Sequence, residues 1–375
     1  MDILNKQIRV LHIIGKVCGG GVEAVAMNYY RHIDRRAVQF DFVIDEDSQP
    51  ILDAEITELG GRIYKIKSYS SNVFLYMKQI YNIVRNHKYE IVHSHMNTVS
   101  GFSLFAALLA GAKVRIIHNH SVTDRSEGMR YFLKLFFRIF SPLPANVYYA
   151  CSEKAAKWIY GKNKHVIIIH NAIDIKKYSF DEINRSIMRK ELAIRDELAI
   201  VHIGRFVQAK NHVFLISILK AMVDDGLNVK LFLVGDGDLK KSIIHLIDEK
   251  GLNSYVVFLG IREDVNNLLQ AMDICILPSH FEGLPVVAIE AAASGLPMII
   301  SDHVTREVKI TNSIIFESLN NSAYEWATMV LRHSQIKRKT CLNELKVAGY
   351  DINIESKKLQ KLYYDELVKY CGLKY

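Results

Sequence analysis

Short apolar runs separated by amphipathic stretches set the rhythm of the chain. Runs of strand length occupy residues 8–14, 40–44, 91–94, 113–117, 146–150 and 166–169, and the rhythm returns at 199–203, 230–234, 255–259, 274–277 and 298–301. Strands alternating with helical stretches predict parallel sheets covered on both faces, here twice over. Between Asp174 and Asp196 charges crowd in and the strand rhythm stops. The expected organisation is therefore a Rossmann-like domain over 1–180 and a second over 181–351. From 352 onward, Leu359, Leu362, Tyr363 and Leu367 recur at helical spacing, so 352–375 predicts an amphipathic helix that packs back on the N-terminal domain. Open α/β sheets bind ligands at the carboxyl ends of their strands, so two such sheets are expected to face each other across a ligand cleft.

Composition narrows this picture without changing it. A chain of 375 residues suits two such cores, and half of its residues are apolar. The uncharged stretch 101–112 is too short to span a bilayer, which needs about 20 residues, and predicts a buried helix. The start, Met1-Asp2-Ile3-Leu4-Asn5-Lys6, has no export signal, and Cys18, Cys151, Cys275, Cys341 and Cys371 are scattered without a Cys-x-x-Cys pair. Both features lead us to expect a reducing, cytoplasmic setting. A formal charge of +8 suits an anionic partner such as a nucleotide, a lipid phosphate or a membrane face.

Three loops carry candidate chemistry. The first strand runs into Gly15-Lys16-Val17-Cys18-Gly19-Gly20-Gly21, with a helix expected from about Val22; this is either a phosphate cradle or a plain tight turn. In the second half, Gly204-Arg205-Phe206-Val207-Gln208-Ala209-Lys210 places a guanidinium and an ammonium on one loop, where they can converge on a diphosphate or remain solvated. The third loop, Pro278-Ser279-His280-Phe281-Glu282-Gly283-Leu284-Pro285-Val286, leads into a helix that contains Glu290. Proline suits a first helical turn, so Pro285 marks the helix start, and the amides of Gly283, Leu284 and Val286 are placed for phosphate oxygens. A carboxylate beside an anion site needs a reason, and accepting hydrogen bonds from paired sugar hydroxyls supplies one.

Glu282 and Glu290, eight positions apart, resemble the paired-glutamate motif of the family 4 retaining glycosyltransferases, which have the GT-B fold. The similarity extends through His170-Asn171-Ala172-Ile173-Asp174, Leu233-Val234-Gly235-Asp236-Gly237, Phe258-Leu259-Gly260, and Ala292-Ala293-Ser294-Gly295-Leu296-Pro297 in the expected order. The resemblance implies that Glu290 binds the ribose and that Glu282 lies near the donor sugar. It implies further that Arg205 and Lys210 hold the diphosphate, that Gly20 and Gly21 line the phosphates, and that Gly260, Ile261 and Arg262 meet the base. Asn171 joins the implied binding residues. A histidine after an N-domain strand usually contacts donor or acceptor in this family, and Ile117-His118-Asn119-His120 offers two, both on one side of an extended segment.

The implied reaction is transfer of a hexose or N-acetylhexosamine from a nucleotide sugar, expected to be UDP-linked, with retention at the anomeric carbon. The acceptor implied is a saccharide or a lipid-diphosphate-linked sugar. The stretch Val308-Lys309-Ile310-Thr311-Asn312 departs from the family's usual glycine-rich loop. With the His-Asn-His-Ser segment, it resembles the branch of bacterial exopolysaccharide and capsule assembly. Asp45-Glu46-Asp47 and Asp236-Gly237-Asp238 fit a loose metal-binding triplet, but two cations can neutralise a leaving diphosphate, so neither metal nor cofactor is expected. Arg130, Lys134 and Arg138 form one stripe on an aromatic helix, which suits either a membrane surface or a core helix with one wet edge. No nucleic-acid partner is expected. The competing readings are a sugar-nucleotide epimerase or hydrolase on similar architecture and a non-catalytic sugar-nucleotide-binding protein.

Overall fold

The computed structural model describes residues 7–123, 128–162 and 164–371. They divide into two compact units, the first running to Ala172 and resuming at Ile352, the second covering Ile173–Asp351. The first unit ends some residues before the expected boundary near 180, because Ile173 already forms a bridge with Asp351 in the second unit.

The first unit holds seven parallel strands: β1 (Ile8–Gly15), β2 (Val38–Asp45), β3 (Ile63–Ile66), β4 (Ile91–Ser94), β5 (Val114–Asn119), β6 (Val147–Ala150) and β7 (Ile167–Ile168). Their order is β3-β2-β1-β4-β5-β6-β7. All eight residues of β2 are buried, which requires cover on both faces. The terminal helix Ile352–Cys371 belongs to this unit. It buries Leu359, Tyr363 and Leu367, and Tyr370 Oη donates to the Asn146 carbonyl at 2.8 Å.

The second unit repeats the plan with six parallel strands: β8 (Leu198–Ile203), β9 (Val229–Val234), β10 (Val256–Gly260), β11 (Ile274–Leu277), β12 (Met298–Ser301) and β13 (Ile314–Glu317). The order β10-β9-β8-β11-β12-β13 matches the first six strands of the other sheet position for position. Its core gathers Phe206, Leu215, Leu219, Leu231, Ile276 and Trp326, whose indole N–H donates to the Ser318 carbonyl.

In both sheets the chain adds strands first on one side of the opening strand and then on the other. The reversal leaves a crevice at the carboxyl ends of β1 and β4 in one unit, and of β8 and β11 in the other. Two strands lie outside the sequence expectation: β3 and β13, each four residues long and each at a sheet edge. An edge strand is paired on one side only, and four residues are too few to show a period of two. The helix expected to be buried at 101–112 forms as Ser100–Leu109 and buries Leu104, Ala106 and Ala107, while Phe105, Leu108 and Leu109 are exposed. A uniformly apolar sequence carries no polar face to mark its outer side.

Candidate active site

In the second unit the crevice is built on glycines. A Cβ on Gly235 would stand 2.3 Å from the Gly204 carbonyl oxygen, and one on Gly237 2.7 Å from the Phe206 carbonyl oxygen. The turn after β9 and the loop after β8 thus pack backbone to backbone, secured by the Phe206 N–H to the Asp236 carbonyl and the Leu239 N–H to the Phe206 carbonyl. A Cβ on Gly204 would meet Lys210 Cε at 2.8 Å, so this glycine makes room for the lysine stem. Lys210 Nζ reaches Glu282 Oε1 at 2.5 Å, with each side chain 16% exposed. Ser279 Oγ donates to the same oxygen at 3.0 Å. The loop after β11 is tied to the Lys210 loop by the His280 N–H, which donates to the Ala209 carbonyl at 2.8 Å. The structure therefore brings Lys210 and Glu282 together, while Arg205 is exposed on the same loop as Lys210.

The helix after this loop is Val286–Ala293, with Pro285 as its N-cap residue rather than its first turn. No side chain caps it. Its first amides have no partner within the helix, and their dipoles favour an anion beyond Pro285. Gly283, Leu284 and Pro285 are buried against it. Glu290, on the second turn, is buried rather than solvated and accepts a hydrogen bond from Tyr178 Oη at 2.7 Å. Burial pushes its carboxyl up to about 7, with the Tyr178 hydroxyl and the nearby Lys177 pulling the other way. A carboxylate desolvated in this way is suited to a pair of donor hydroxyls. Tyr178 is itself positioned by Gln270, whose Nε2 donates to the Tyr178 and Ser179 carbonyls. Nothing in the sequence marks Tyr178 for this role, because it precedes its carboxylate by 112 residues.

Beside Gly260, which ends β10 and accepts from the Gly235 N–H, Ile261 leads to Arg262. The Arg262 guanidinium is clasped by both oxygens of Asp264, at 2.7 and 2.6 Å. Asp264 thus offsets the charge of a side chain that the resemblance places at the base.

The first unit builds its crevice from neutral rings. Register places His12 beside His93, and His93 beside Ile116, so His12, His93, His95, His118 and His120 all rise from one face of the sheet. All five are buried. His12 Nδ1 lies 3.0 Å from His95 Nε2, and His95 Nδ1 lies 2.8 Å from His120 Nε2. Beside this chain runs a second, from Tyr363 Oη to His93 Nδ1 at 2.8 Å and from His93 Nε2 to His118 Nδ1 at 3.1 Å. The His118 and His120 rings lie 3.9 Å apart between centroids, on one side as their spacing requires. Desolvation holds every ring below the usual imidazole range, His12 and His120 at about 3, with neighbouring imidazoles adding to the effect on His93, His95 and His118. The layer is therefore uncharged at neutral pH. The triads His12, His93, His95 and His95, His118, His120 each have ring nitrogens within 4.8 Å of one another. His95 spends both nitrogens on hydrogen bonds within the layer.

Gly20 caps the helix Gly21–His32, and the Glu23 carboxylate of that helix accepts from the Cys18 N–H at 3.0 Å. An acid of the chain itself thus engages the Cys18 amide of the glycine loop. Asn171 is buried in the segment that follows β7. Of the histidine layer, the sequence singles out His118 and His120. The period-two spacing His-x-His on two strands was the available signal for the wider layer. No helix of the described residues is long and apolar enough to cross a membrane.

Comparison with known proteins places the chain in a family. Residues 19–177 match the family model Glycosyltransferase Family 4, and residues 197–333 match Glycosyl transferases group 1. The chain is 34% identical to EpsF of Bacillus subtilis (strain 168), a protein provisionally named a glycosyltransferase, over 92% of this chain and 94% of EpsF. It is 24% identical to the UDP-Gal:alpha-D-GlcNAc-diphosphoundecaprenol alpha-1,3-galactosyltransferase of Escherichia coli, over 98% of this chain and all of the relative. Identity to the capsular polysaccharide biosynthesis glycosyltransferase CapH of Staphylococcus aureus is also 24%, over 95% and 98% of the two chains. Among solved structures, Anabaena HepE in complex with UDP-glucose superposes with a TM-score of 0.79 at 17% identity, covering 96% of this chain and all of HepE. The repeated strand order is that of the GT-B fold, and the chain belongs to the family 4 glycosyltransferases.

Proposed function

We propose that this glycosyltransferase moves a hexose or N-acetylhexosamine from a UDP-sugar to a saccharide or lipid-diphosphate-linked acceptor during capsule or exopolysaccharide assembly. The observation that carries the donor half is the Lys210–Glu282 pair beside the start of Val286–Ala293, which no side chain caps, a cation and a helix N-terminus where a diphosphate would sit. HepE was solved with UDP-glucose, and the Escherichia coli relative is named for UDP-Gal and a diphosphoundecaprenol acceptor, which supports both substrate classes.

In this reading Glu290 accepts from the ribose hydroxyls, and Glu282 orients Lys210 and a hydroxyl of the donor sugar. The bond from the anomeric carbon to the diphosphate oxygen breaks, and UDP leaves with the electron pair. The acceptor hydroxyl oxygen bonds to the same carbon from the same face, and its proton passes to the departing diphosphate. Lys210, Arg205 and the amides from Gly283 to Val286 stabilise the charge that develops on the diphosphate, with no metal required. Gly20, Gly21, Asn171, His118 and His120 of the first unit, and Gly260, Ile261 and Arg262 of the second, are further candidate substrate contacts.

The acceptor half is carried by a surface of the first unit. The helix Met129–Phe140 exposes Met129, Phe132, Leu133, Phe136, Ile139 and Phe140, with Lys134 and Arg138 between them. Phe137 of this helix contacts Phe102 of the helix Ser100–Leu109, which exposes Phe105, Leu108 and Leu109. An apolar face this size with basic residues suits the cytoplasmic leaflet of a membrane, where a lipid-linked acceptor would be met.

The test is incubation of the chain with a panel of UDP-sugars and labelled acceptors, with and without anionic vesicles. Acceptor-dependent UDP release with retained anomeric configuration, enhanced by vesicles, is expected. Epimerised or hydrolysed donor without acceptor, or binding without product, would overturn the reading.

A further inference from the structure

The two imidazole chains differ at their ends. One ends in an imidazole, the Nε2 of His12, which is buried without a partner. The other ends in the hydroxyl of Tyr363, a fully buried residue of the terminal helix whose side chain has His93 as its hydrogen-bonding partner. Burial also keeps this phenol protonated, raising it well above the usual tyrosine range.

Each neutral imidazole carries one N–H and one lone pair, so the direction of one bond fixes the next. If Tyr363 donates, His93 accepts at Nδ1 and carries its proton on Nε2. His93 then donates to His118 Nδ1, and His118 carries its proton on Nε2. That nitrogen is buried and has no partner in the chain. In the opposite direction two groups go unmet, the Tyr363 O–H and the His118 Nε2 lone pair. Leaving buried polar groups unmet is the costly outcome, so the direction that leaves one is preferred. The His118 Nε2–H is then a buried donor without a protein partner, near the end of β5.

We propose that Tyr363 is a positioning residue that fixes the tautomer of His118 through His93, making His118 a hydrogen-bond donor to a substrate oxygen rather than a proton acceptor. The use made of that donor rests on the reading that His118 touches substrate; the tautomer does not. The His12–His95–His120 chain has no hydroxyl at its end to set a direction and is not fixed in this way.

The experiment is long-range proton–nitrogen NMR on the full chain labelled with 15N-histidine, with His118 assigned by its loss in His118→Gln. The wild-type spectrum is expected to show His118 protonated at Nε2 with an unprotonated Nδ1. Tyr363→Phe keeps the ring and removes the hydroxyl. It is expected to abolish the preference and lower kcat about tenfold, the worth of one hydrogen bond, with KM for the donor little changed. A wild-type His118 protonated at Nδ1 overturns the proposal, and does so even if the variant fails to fold. An unchanged tautomer in Tyr363→Phe overturns it as well, as does stoichiometric zinc uptake that removes the Nε2–H signal. A changed tautomer with unchanged kcat upholds the relay and removes His118 from the substrate contacts, which separates the two readings.

Discussion

The two sheets share a strand order and use it for opposite electrostatics. At the carboxyl ends of β8 and β11 stand charges: Lys210 against Glu282, and Glu290 with its carboxyl pushed up to about 7. At the carboxyl ends of β1, β4 and β5 stand five imidazoles that burial keeps neutral. The charged site is held on loops whose glycines let backbones touch. The neutral site is held on the strands themselves, with side chains bonded across the sheet. Charge on a loop can meet charge on a ligand and be repaid by it, whereas a neutral layer can position hydrogens without repelling a diphosphate or attracting one.

The comparison breaks most sharply at Lys210. Lys210→Ala is expected to lower kcat about 100- to 1,000-fold, the usual cost of one charged group that stabilises a leaving oxyanion. Steady-state kinetics beside an unchanged circular dichroism spectrum check this, and near-normal turnover would move the charge work elsewhere.

A smaller effect tests the glycine frame. Gly237→Ala puts a methyl 2.7 Å from the Phe206 carbonyl oxygen at a residue whose φ is +154°. The expected loss is about 2 to 3 kcal/mol in denaturant unfolding, a strain located at this one position. The histidine layer, in the other unit, should keep its NMR spectrum.

The smallest effect sharpens the role of Glu290. Its folded carboxyl lies above the ordinary value of 4.5, so the fold favours its neutral form. That contribution to stability is full below 4.5 and is lost as pH rises through about 7. Ribose hydroxyls prefer the carboxylate, so UDP binding should tighten over the same rise. In Glu290→Gln both pH dependences should flatten, and UDP affinity at pH 8 should fall about tenfold, as calorimetry would show. An unchanged pH dependence of binding would separate Glu290 from the ribose.

Much of this was legible in the chain. The alternation of short apolar runs and helical stretches predicts two parallel sheets, and the terminal helix is visible in Leu359, Tyr363 and Leu367. Lys210, Glu282 and Glu290 stand out because local motifs hold them: two cations on the loop after a strand, and two glutamates eight positions apart around a proline near a helix start. Two edge strands were not legible, because one-sided pairing over four residues leaves too short a pattern.

What the sequence by itself determined is therefore the local chemistry and the strand rhythm, since both depend on neighbours in the chain. The tertiary structure alone decided which distant groups meet. Tyr178 reaches Glu290 across 112 residues, and Tyr363 reaches His93 across 270. It also decided that Glu290 is buried and that five histidines share one face. Hydrogen bonds and desolvation act over a few ångströms of space, and only the fold sets those distances.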